Sequence, residues 1–462
     1  MAGLLVAAIS LGAFSSAVVL LIIRARAYGY DVRKDYNYCF DQTAARTLEG
    51  SIQANCIQLP AMGEDWDTAF LEIGIVSTML GWMFRPTITL SYEDRTATHC
   101  FERGAHGIRF LNLTNLNPRR DGPLTLDIQR RRFICLSPLT VKVILFSNPD
   151  VSRSRILVLA PHPDDAEIAA YGLYSTTDSF VVTVTAGEGT DGKYREVFDD
   201  SAAHLTKVGL VRTWESVSVP WLGGVPPERC VNLGYFDGTL REMRASSPRP
   251  VVSSGTQVRD PAFYRTVNLS PFSPPSSGVA SWPALVADLR NLIDTVTPDI
   301  IVTPFPPIDR HPDHKYTTLA VLDALQSTQH KPTFLYLYTN HYHASERYPE
   351  GDPGSEVSLP PVFESPLTFD SIYAHPLSQN QQRTKVFALD AMMDLRTGLT
   401  WIPIRTAMRR LGLLLIKRII DWNRSYFRRA IRPSELFFVV RLSDARPVEL
   451  AMLWEQKPNR EE

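Results

Sequence analysis

Ile156-Leu157-Val158-Leu159-Ala160-Pro161-His162-Pro163-Asp164-Asp165 is the stretch on which the reading of this chain turns. An unbroken apolar run of this length suits a strand buried on both faces, and the proline that closes it hands over to one imidazole and two carboxylates. Pro163 fixes its own φ and holds His162 extended, so the ring projects past the sheet edge while the chain turns into a helix. The pattern recurs downstream. Asp299-Ile300-Ile301-Val302-Thr303-Pro304 is a second strand-like run, and His311-Pro312-Asp313-His314 follows it after a short loop and opens a second helical stretch. In open α/β sheets ligands gather beyond the carboxyl ends of strands, where both tetrapeptides are expected to lie.

Around these motifs the pattern alternates. Residues 180–185, 215–220, 299–303 and 334–338 read as strands, and 196–208, 282–296 and 315–325 as helices, with Pro283 suited to a first helical turn. Residues 245–283, rich in Ser, Pro and Gly, form a long excursion. The alternation predicts an α/β fold over residues 151–395, a Rossmann-like, mainly parallel sheet with helices on both faces. Residues 28–150 carry short runs at 87–92, 107–113 and 141–146 and are expected to form a small β-rich domain, in which His99 and His106 read as packing or surface histidines.

Residues 2–23 contain no charge. At about 1.5 Å per helical residue, roughly 20 of them cover about 30 Å, so residues 1–27 are expected to be a transmembrane helix. A cleaved signal peptide is the rival reading, because Ala25-Arg26-Ala27 is small-x-small, but no positive charge precedes the apolar run. Arg24, Arg26, Arg33 and Lys34 follow it, which places the rest of the chain in the cytoplasm, single-pass in a bacterial inner membrane. Residues 396–462 form a basic amphipathic segment. Arg405, Arg409, Arg410, Lys417, Arg418, Arg424, Arg428, Arg429 and Arg432 lie among Trp401, Leu411, Trp422 and Phe427, as in a helix resting on an anionic membrane surface. An amphipathic helix docked on the catalytic domain is the alternative.

The 462 residues, 44% hydrophobic and 21% charged, have the composition of folded protein in two or three domains. Forty-eight basic and 49 acidic residues give a net charge of −1, so nothing global points to a nucleic-acid partner. Five scattered cysteines with no CxxC pair exclude a disulfide framework and a cysteine zinc site.

His-Pro-Asp-Asp at a strand end points adjacent carboxylates in different directions. Asp165 can therefore ligate a cation with His162, while Asp164 lies beside a bound water as general base, both favoured by the helix start. The third ligand comes from His311 or His314, between which the residues alone do not choose. Two imidazoles and one carboxylate leave a position on Zn²⁺ for water, and the spare histidine can serve the oxyanion or the leaving group.

With these motifs, the sequence resembles the PIG-L/LmbE-like family of zinc-dependent N-acetylglucosaminide deacetylases over about residues 155–395. Pro161-His162-Pro163-Asp164-Asp165-Ala166-Glu167-Ile168 and His311-Pro312-Asp313-His314 match its two metal motifs. Thr185-Ala186-Gly187-Glu188-Gly189-Thr190 and Leu233-Gly234-Tyr235-Phe236-Asp237-Gly238 resemble its loops. The resemblance implies that His162, Asp165 and His314 bind zinc, that Asp164 activates water, and that His311, oriented by Asp313, acts on the oxyanion or leaving group. Asp237 is a candidate substrate contact. Glu167 reads as a helix-start residue, Glu188 is left open, Asp309 and Arg310 shape the site or turn the loop, and His341 and His343 are kept out of it. Asp191-Gly192-Lys193 stands where many relatives have an arginine, so the substrate is expected to differ.

The expected function is that of a membrane-anchored amidohydrolase that removes acetate from an N-acetylated sugar or glycolipid, with Zn²⁺ and, as an alternative, Fe²⁺. The rival readings are an inactive membrane-bound glycan-binding scaffold and a two-histidine, one-carboxylate Fe(II) oxygenase, for which Asp164 has no role.

Overall fold

A computed structural model describes residues 28–40, 44–118, 121–189, 194–275, 278–363, 367–396, 425–442 and 446–456. Nine strands precede residue 150: β1 Ala45–Gln53, β2 Cys56–Leu59, β3 Thr68–Ser77, β4 Thr87–Tyr92, β5 Arg95–Cys100, β6 His106–Asn112, β7 Leu124–Arg132, β8 Ile134–Leu136 and β9 Thr140–Phe146. They form one sheet in the order β5-β4-β7-β2-β1-β9-β3-β6, with β8 on β3, and every pairing is antiparallel.

The second sheet has seven strands: β10 Arg155–Ala160, β11 Asp178–Thr185, β12 Cys230–Tyr235, β13 Ile300–Pro304, β14 Phe334–Tyr338, β15 Ser371–Pro376 and β16 Ser434–Arg441, in the order β12-β11-β10-β13-β14-β16-β15. The first five run parallel, and β16 pairs antiparallel with both β14 and β15. Leu157 and Leu159 enter one core cluster and Ile156, Val158 and Ala160 another, so β10 is buried on both faces, as its unbroken apolar run requires. Phe70, Phe110, Ile144 and Phe146 of the antiparallel sheet join the cluster of Leu157 and Leu159, and its other face packs a core of its own around Leu71, Ile73 and Ile75.

The expected fold class is therefore corrected. The larger sheet is antiparallel and spans what was read as a small accessory domain, and the second sheet is mixed, not the dominant parallel core of a Rossmann-like protein. The expected transmembrane helix over residues 1–27 lies outside the described residues, among which no helix is long and apolar enough to cross a membrane. The physical reason is pairing at long range. Each short run before residue 150 finds an antiparallel neighbour, and β16, from a segment read as a basic tail, inserts beside β14. A local error accompanies this. Residues 215–220, read as a strand, end an 18-residue helix, Ser201–Ser218, which starts where Asp200 accepts the N–H groups of Ala202 (3.1 Å) and Ala203 (3.0 Å). Most of the basic segment, residues 397–424, lies outside the described residues. At its end Arg428, Arg429 and Arg432 are buried, and Arg432 donates to the carbonyls of Glu350 and Ser355 at 2.9 and 3.2 Å.

Two helices carry the site: α1 Asp165–Tyr174, which follows β10 and is buried all round, and α2 Pro312–Leu325, which follows β13 and has Pro312 in its first turn.

Candidate metal centre

The loops beyond the carboxyl ends of the parallel strands converge. The loop after β10 brings His162, Asp164 and Asp165, that after β12 Asp237, that after β13 Asp309, His311, Asp313 and His314, and that after β14 Asn340 and His341. Strand ends fix their origins, so residues far apart in sequence meet with little freedom.

His162 Nδ1 lies 3.2 Å from Asp165 Oδ2, and His314 Nε2 lies 3.1 Å from the same oxygen. The outer nitrogens are held by carboxylates: His314 Nδ1 by Asp309 (3.0 Å), His162 Nε2 by Asp237 (3.2 Å) and Asp313 (3.3 Å). In a neutral imidazole the outer N–H donates to its carboxylate, which turns the inner lone pair toward Asp165. This is how metal-bound histidines are oriented. Asn340 Nδ2 donates to Asp165 Oδ1 at 2.7 Å, so the other oxygen is the one left for a cation.

These residues fit a metal ion. His314 Nε2 is fully buried and makes no hydrogen bond, since its approach to Asp165 is short but not aligned for one. Ligand atoms of His162, His311 and His314, and separately of Asp165, His314 and His341, lie within 4.8 Å of one another. Without a cation the cluster would draw its positive charge from protons. Burial opposes charge on His314, but Asp165 and Asp309 outweigh it and push its pKa up to about 9, and Asp237 and Asp165 raise that of His162.

Asp164 stands at the start of α1 with φ 119°, a left-handed conformation that is strained for a residue with a side chain. Burial, and then the neighbouring Asp394, raise its pKa well above the carboxylate range, against the pull of Arg212. Arg212 Nη2 lies 3.5 Å from Asp164 and donates to Asp394 (2.9 Å) and to the Pro163 carbonyl (2.7 Å). Its Nη1 donates to the Gly187 carbonyl at 2.8 Å. Gly187, with φ 66°, leaves the arginine its room, because a Cβ there would meet Nη1 at 2.5 Å.

His311 caps α2, accepting the Asp313 N–H on Nδ1 at 3.2 Å, so the neutral ring carries its proton on Nε2. Burial, then His162 and His314, lower its pKa to about 4. The expectation that Asp313 orients His311 through its side chain is corrected: that carboxylate accepts from Gly238 N (2.7 Å) and Leu240 N (3.2 Å) and faces His162. Asp237 sits against His162, and Glu188 supports it by accepting the Asp237 N–H at 3.1 Å.

Four contributors escaped the reading from sequence: Asn340, Arg212, Asp394 and Tyr426. Asp309, read as shaping the site or turning the loop, faces His314 Nδ1 at 3.0 Å. His341, kept out of the site at first, has its ring 5.0 Å from that of His314 and a nitrogen 3.0 Å from the Tyr426 hydroxyl. Nothing local marks Arg212, Asp394 or Tyr426. His343 is exposed, and its Nδ1 donates to the Ile308 carbonyl at 3.1 Å.

Residues 157–325, which contain both motifs, match the family model PIG-L, described as GlcNAc-PI de-N-acetylase. The chain carries a PIG-L segment. The family read from the two tetrapeptides is the one found. Among solved structures the chain is similar to the zinc-inhibited form of teicoplanin deacetylase Orf2, at 16% identity over 63% of this chain and 100% of that one, with a TM-score of 0.32. It is also similar to GalB, the 4-carboxy-2-hydroxymuconate hydratase of Pseudomonas putida KT2440, at 12% identity over 63% of this chain and 96% of that one, with a TM-score of 0.31. At such scores neither likeness bears on function. No curated relative matches the chain.

Proposed function

We propose that this PIG-L chain is a metal-dependent N-deacetylase that hydrolyses the acetamide of an N-acetylated sugar. The observation that carries the reading is the convergence of His162 Nδ1 and His314 Nε2 on one oxygen of Asp165, with Asp164 alongside. The PIG-L match supports the reaction class. His162, Asp165 and His314 would hold Zn²⁺, which when bound supplies Lewis acidity to a water and to the acetamide oxygen.

The chain's own groups do the rest. Asp164 takes a proton from the water as its oxygen bonds to the acetamide carbon, and its raised pKa suits a group that must hold that proton and give it up again. His311, neutral and protonated on Nε2, donates a hydrogen bond to the oxyanion. Asp164 then delivers its proton to the nitrogen as the C–N bond breaks, leaving acetate and a free amine. Arg212 and Asp394 hold Asp164 in its strained position.

For the substrate we favour a lipid-linked or surface-glycan precursor, and for the location the inner face of a membrane, on the uncharged stretch 2–23 and the arginines that follow it. The test is the purified full chain, loaded with zinc and offered N-acetylated glycolipids and sugar nucleotides, scored for acetate and amine. Acetate release that Asp164→Asn abolishes while zinc stays bound is the expected result. Full activity in that variant would remove the mechanism, and bound glycolipid without acetate would favour a binding protein.

A further inference from the structure

The antiparallel sheet carries an apolar turn that is left exposed among the described residues. Between β3 and β4 the chain forms one helical turn, Met79–Met83, followed by Phe84. Met79 is 85% exposed, Leu80 50%, Trp82 47%, Met83 45% and Phe84 51%. Five large apolar side chains in succession facing solvent is unusual for a surface that meets only water.

The turn is built into the fold. Thr78 N–H donates to the Phe133 carbonyl at 2.9 Å, and the Phe84 and Phe133 rings stack with centroids 5.4 Å apart. Arg103 Nε donates to the Met83 carbonyl at 3.2 Å. Trp82 lies over Gly104, where a Cβ would meet the indole at 2.7 Å.

Beside the turn runs a basic strip. Arg130, Arg131 and Arg132 end β7 directly before Phe133, all exposed, in register with Thr89, Ile88 and Thr87 of the strand that follows Phe84. No ion pair engages any of the three among the described residues. Aromatic and aliphatic side chains flanked by unpaired arginines match the boundary of an anionic bilayer, where the rings enter the headgroup layer and the guanidinium groups stay with the phosphates.

The course of the chain points to the same face. Tyr28, at the start of the described chain, donates its hydroxyl to Glu350 at 3.0 Å, and Glu350 lies 3.5 Å from Arg85, the residue after Phe84. The uncharged stretch 2–23 therefore precedes a point beside the turn. Residues 425–432, which follow the basic stretch, return to the same neighbourhood: Arg428 Nη1 donates to the carbonyls of Pro349 (2.8 Å) and Gly351 (2.7 Å).

We propose that residues 79–84, with Arg130, Arg131 and Arg132, are a docking face for an anionic lipid bilayer. The face extends the membrane part of the reading above and is independent of the deacetylase chemistry. The full chain is mixed with phosphatidylcholine vesicles, with or without phosphatidylglycerol and with or without brominated acyl chains. Flotation reports whether the chain associates at all. Quenching of tryptophan fluorescence, compared between the native chain and Trp82→Phe, isolates Trp82 from the other seven of its eight tryptophans. Matching circular dichroism spectra and thermal unfolding midpoints of the two proteins confirm that the substitution leaves the fold intact.

The expected result is a Trp82 component quenched by brominated lipid, larger with phosphatidylglycerol and reduced when Arg130, Arg131 and Arg132 are all changed to Gln. Flotation without a Trp82 component overturns the docking face while leaving the membrane reading standing. A component indifferent to lipid charge overturns it as well. So does a Trp82 shielded from acrylamide in lipid-free solution in proportion to protein concentration, because the face would then belong to a second copy of the chain.

Discussion

Two buried charged clusters lie in this molecule, and they are built on opposite principles. Around Arg109 charge is balanced by the protein's own groups, although Nε makes no hydrogen bond. Nη1 donates to the carbonyls of Lys34 (3.0 Å), His106 (3.1 Å) and Ile108 (2.9 Å), and Nη2 to that of Val32 (2.6 Å). Its Nε lies 3.5 Å from Glu102, which also accepts the hydroxyls of Tyr30 and Tyr36. The cavity beside it measures about 30 Å³, room for about one water. Around Asp165, by contrast, His162 Nδ1 and His314 Nε2 crowd one oxygen, which also accepts the His162 N–H at 3.0 Å, while the outer nitrogens are tied down. Both clusters bury charge. The first is complete in charge through Arg109 and Glu102 and ties residues 28–36 to the antiparallel sheet; the second gathers ligand atoms that need a cation or added protons between them, and this marks the candidate site.

The contrast is broken most directly at the base. Asp164→Asn should lower kcat by about 10³-fold or more while zinc content stays unchanged, because in the proposed mechanism Asp164 would serve the water and not hold the ion. Zinc analysis alongside a single-turnover assay checks both halves. The matching substitution in the complete cluster is Arg109→Ala, which leaves Glu102 buried without its cation and should cost about 3–5 kcal/mol of stability. Thermal unfolding should show the loss, and the folded fraction should still bind zinc with native affinity. A variant that kept its stability and lost its metal would erase the distinction between the clusters.

The gathering of His162, Asp165, His311 and His314 in one cluster was legible because its chemistry is local: a histidine and two aspartates in one tetrapeptide after a buried strand leave few other uses for those residues. The same locality explains the strands read at 87–92 and 334–338, which fall where the structure has them. What was misread depends on partners distant in the chain. The antiparallel sheet arises from pairings such as β3 with β9, and β16 takes its place only because β14 offers it an open edge. Residues 215–220 alternate like a strand, yet the cap at Asp200 launches a helix that takes in 215–218, and a tight helical turn follows from Val219. Asp309 was read as shaping the site or turning the loop, and as an aspartate two residues before a ligand motif it could be found from sequence. Arg212 and Asp394 could not, because their role exists only where their side chains meet Asp164.

A weaker test lies in the partners that orient the ligands. Asp309→Asn keeps the shape and can still accept from His311 N, but it removes the charge and sets an NH2 group where Oδ2 faced His314 Nδ1 and Asn340 N. Zinc affinity should fall about 10–100-fold in competition with a chelator, with stability of the zinc-loaded protein little changed.

The smallest effect probes the complete side at a carboxyl with only partial compensation. Glu356 accepts from Asn115 Nδ2 at 3.0 Å and Ser434 Oγ at 3.4 Å where the antiparallel sheet meets β16. Burial pushes its pKa up to about 7, against the pull of Asn115, Ser434 and Arg432. A carboxyl raised above its unfolded value of about 4.3 binds its proton more tightly in the folded state. Its contribution is therefore fully present below that value and is lost as pH rises through about 7. Glu356→Gln keeps the uncharged form at every pH, so it should stabilise the protein by about 1–3 kcal/mol at pH 8 and by close to nothing at about pH 4. Unfolding midpoints of native and variant protein at the two pH values decide it. A gain equal at both would mean that the carboxylate is solvated and that this part of the molecule is less closed than the cluster around Arg109.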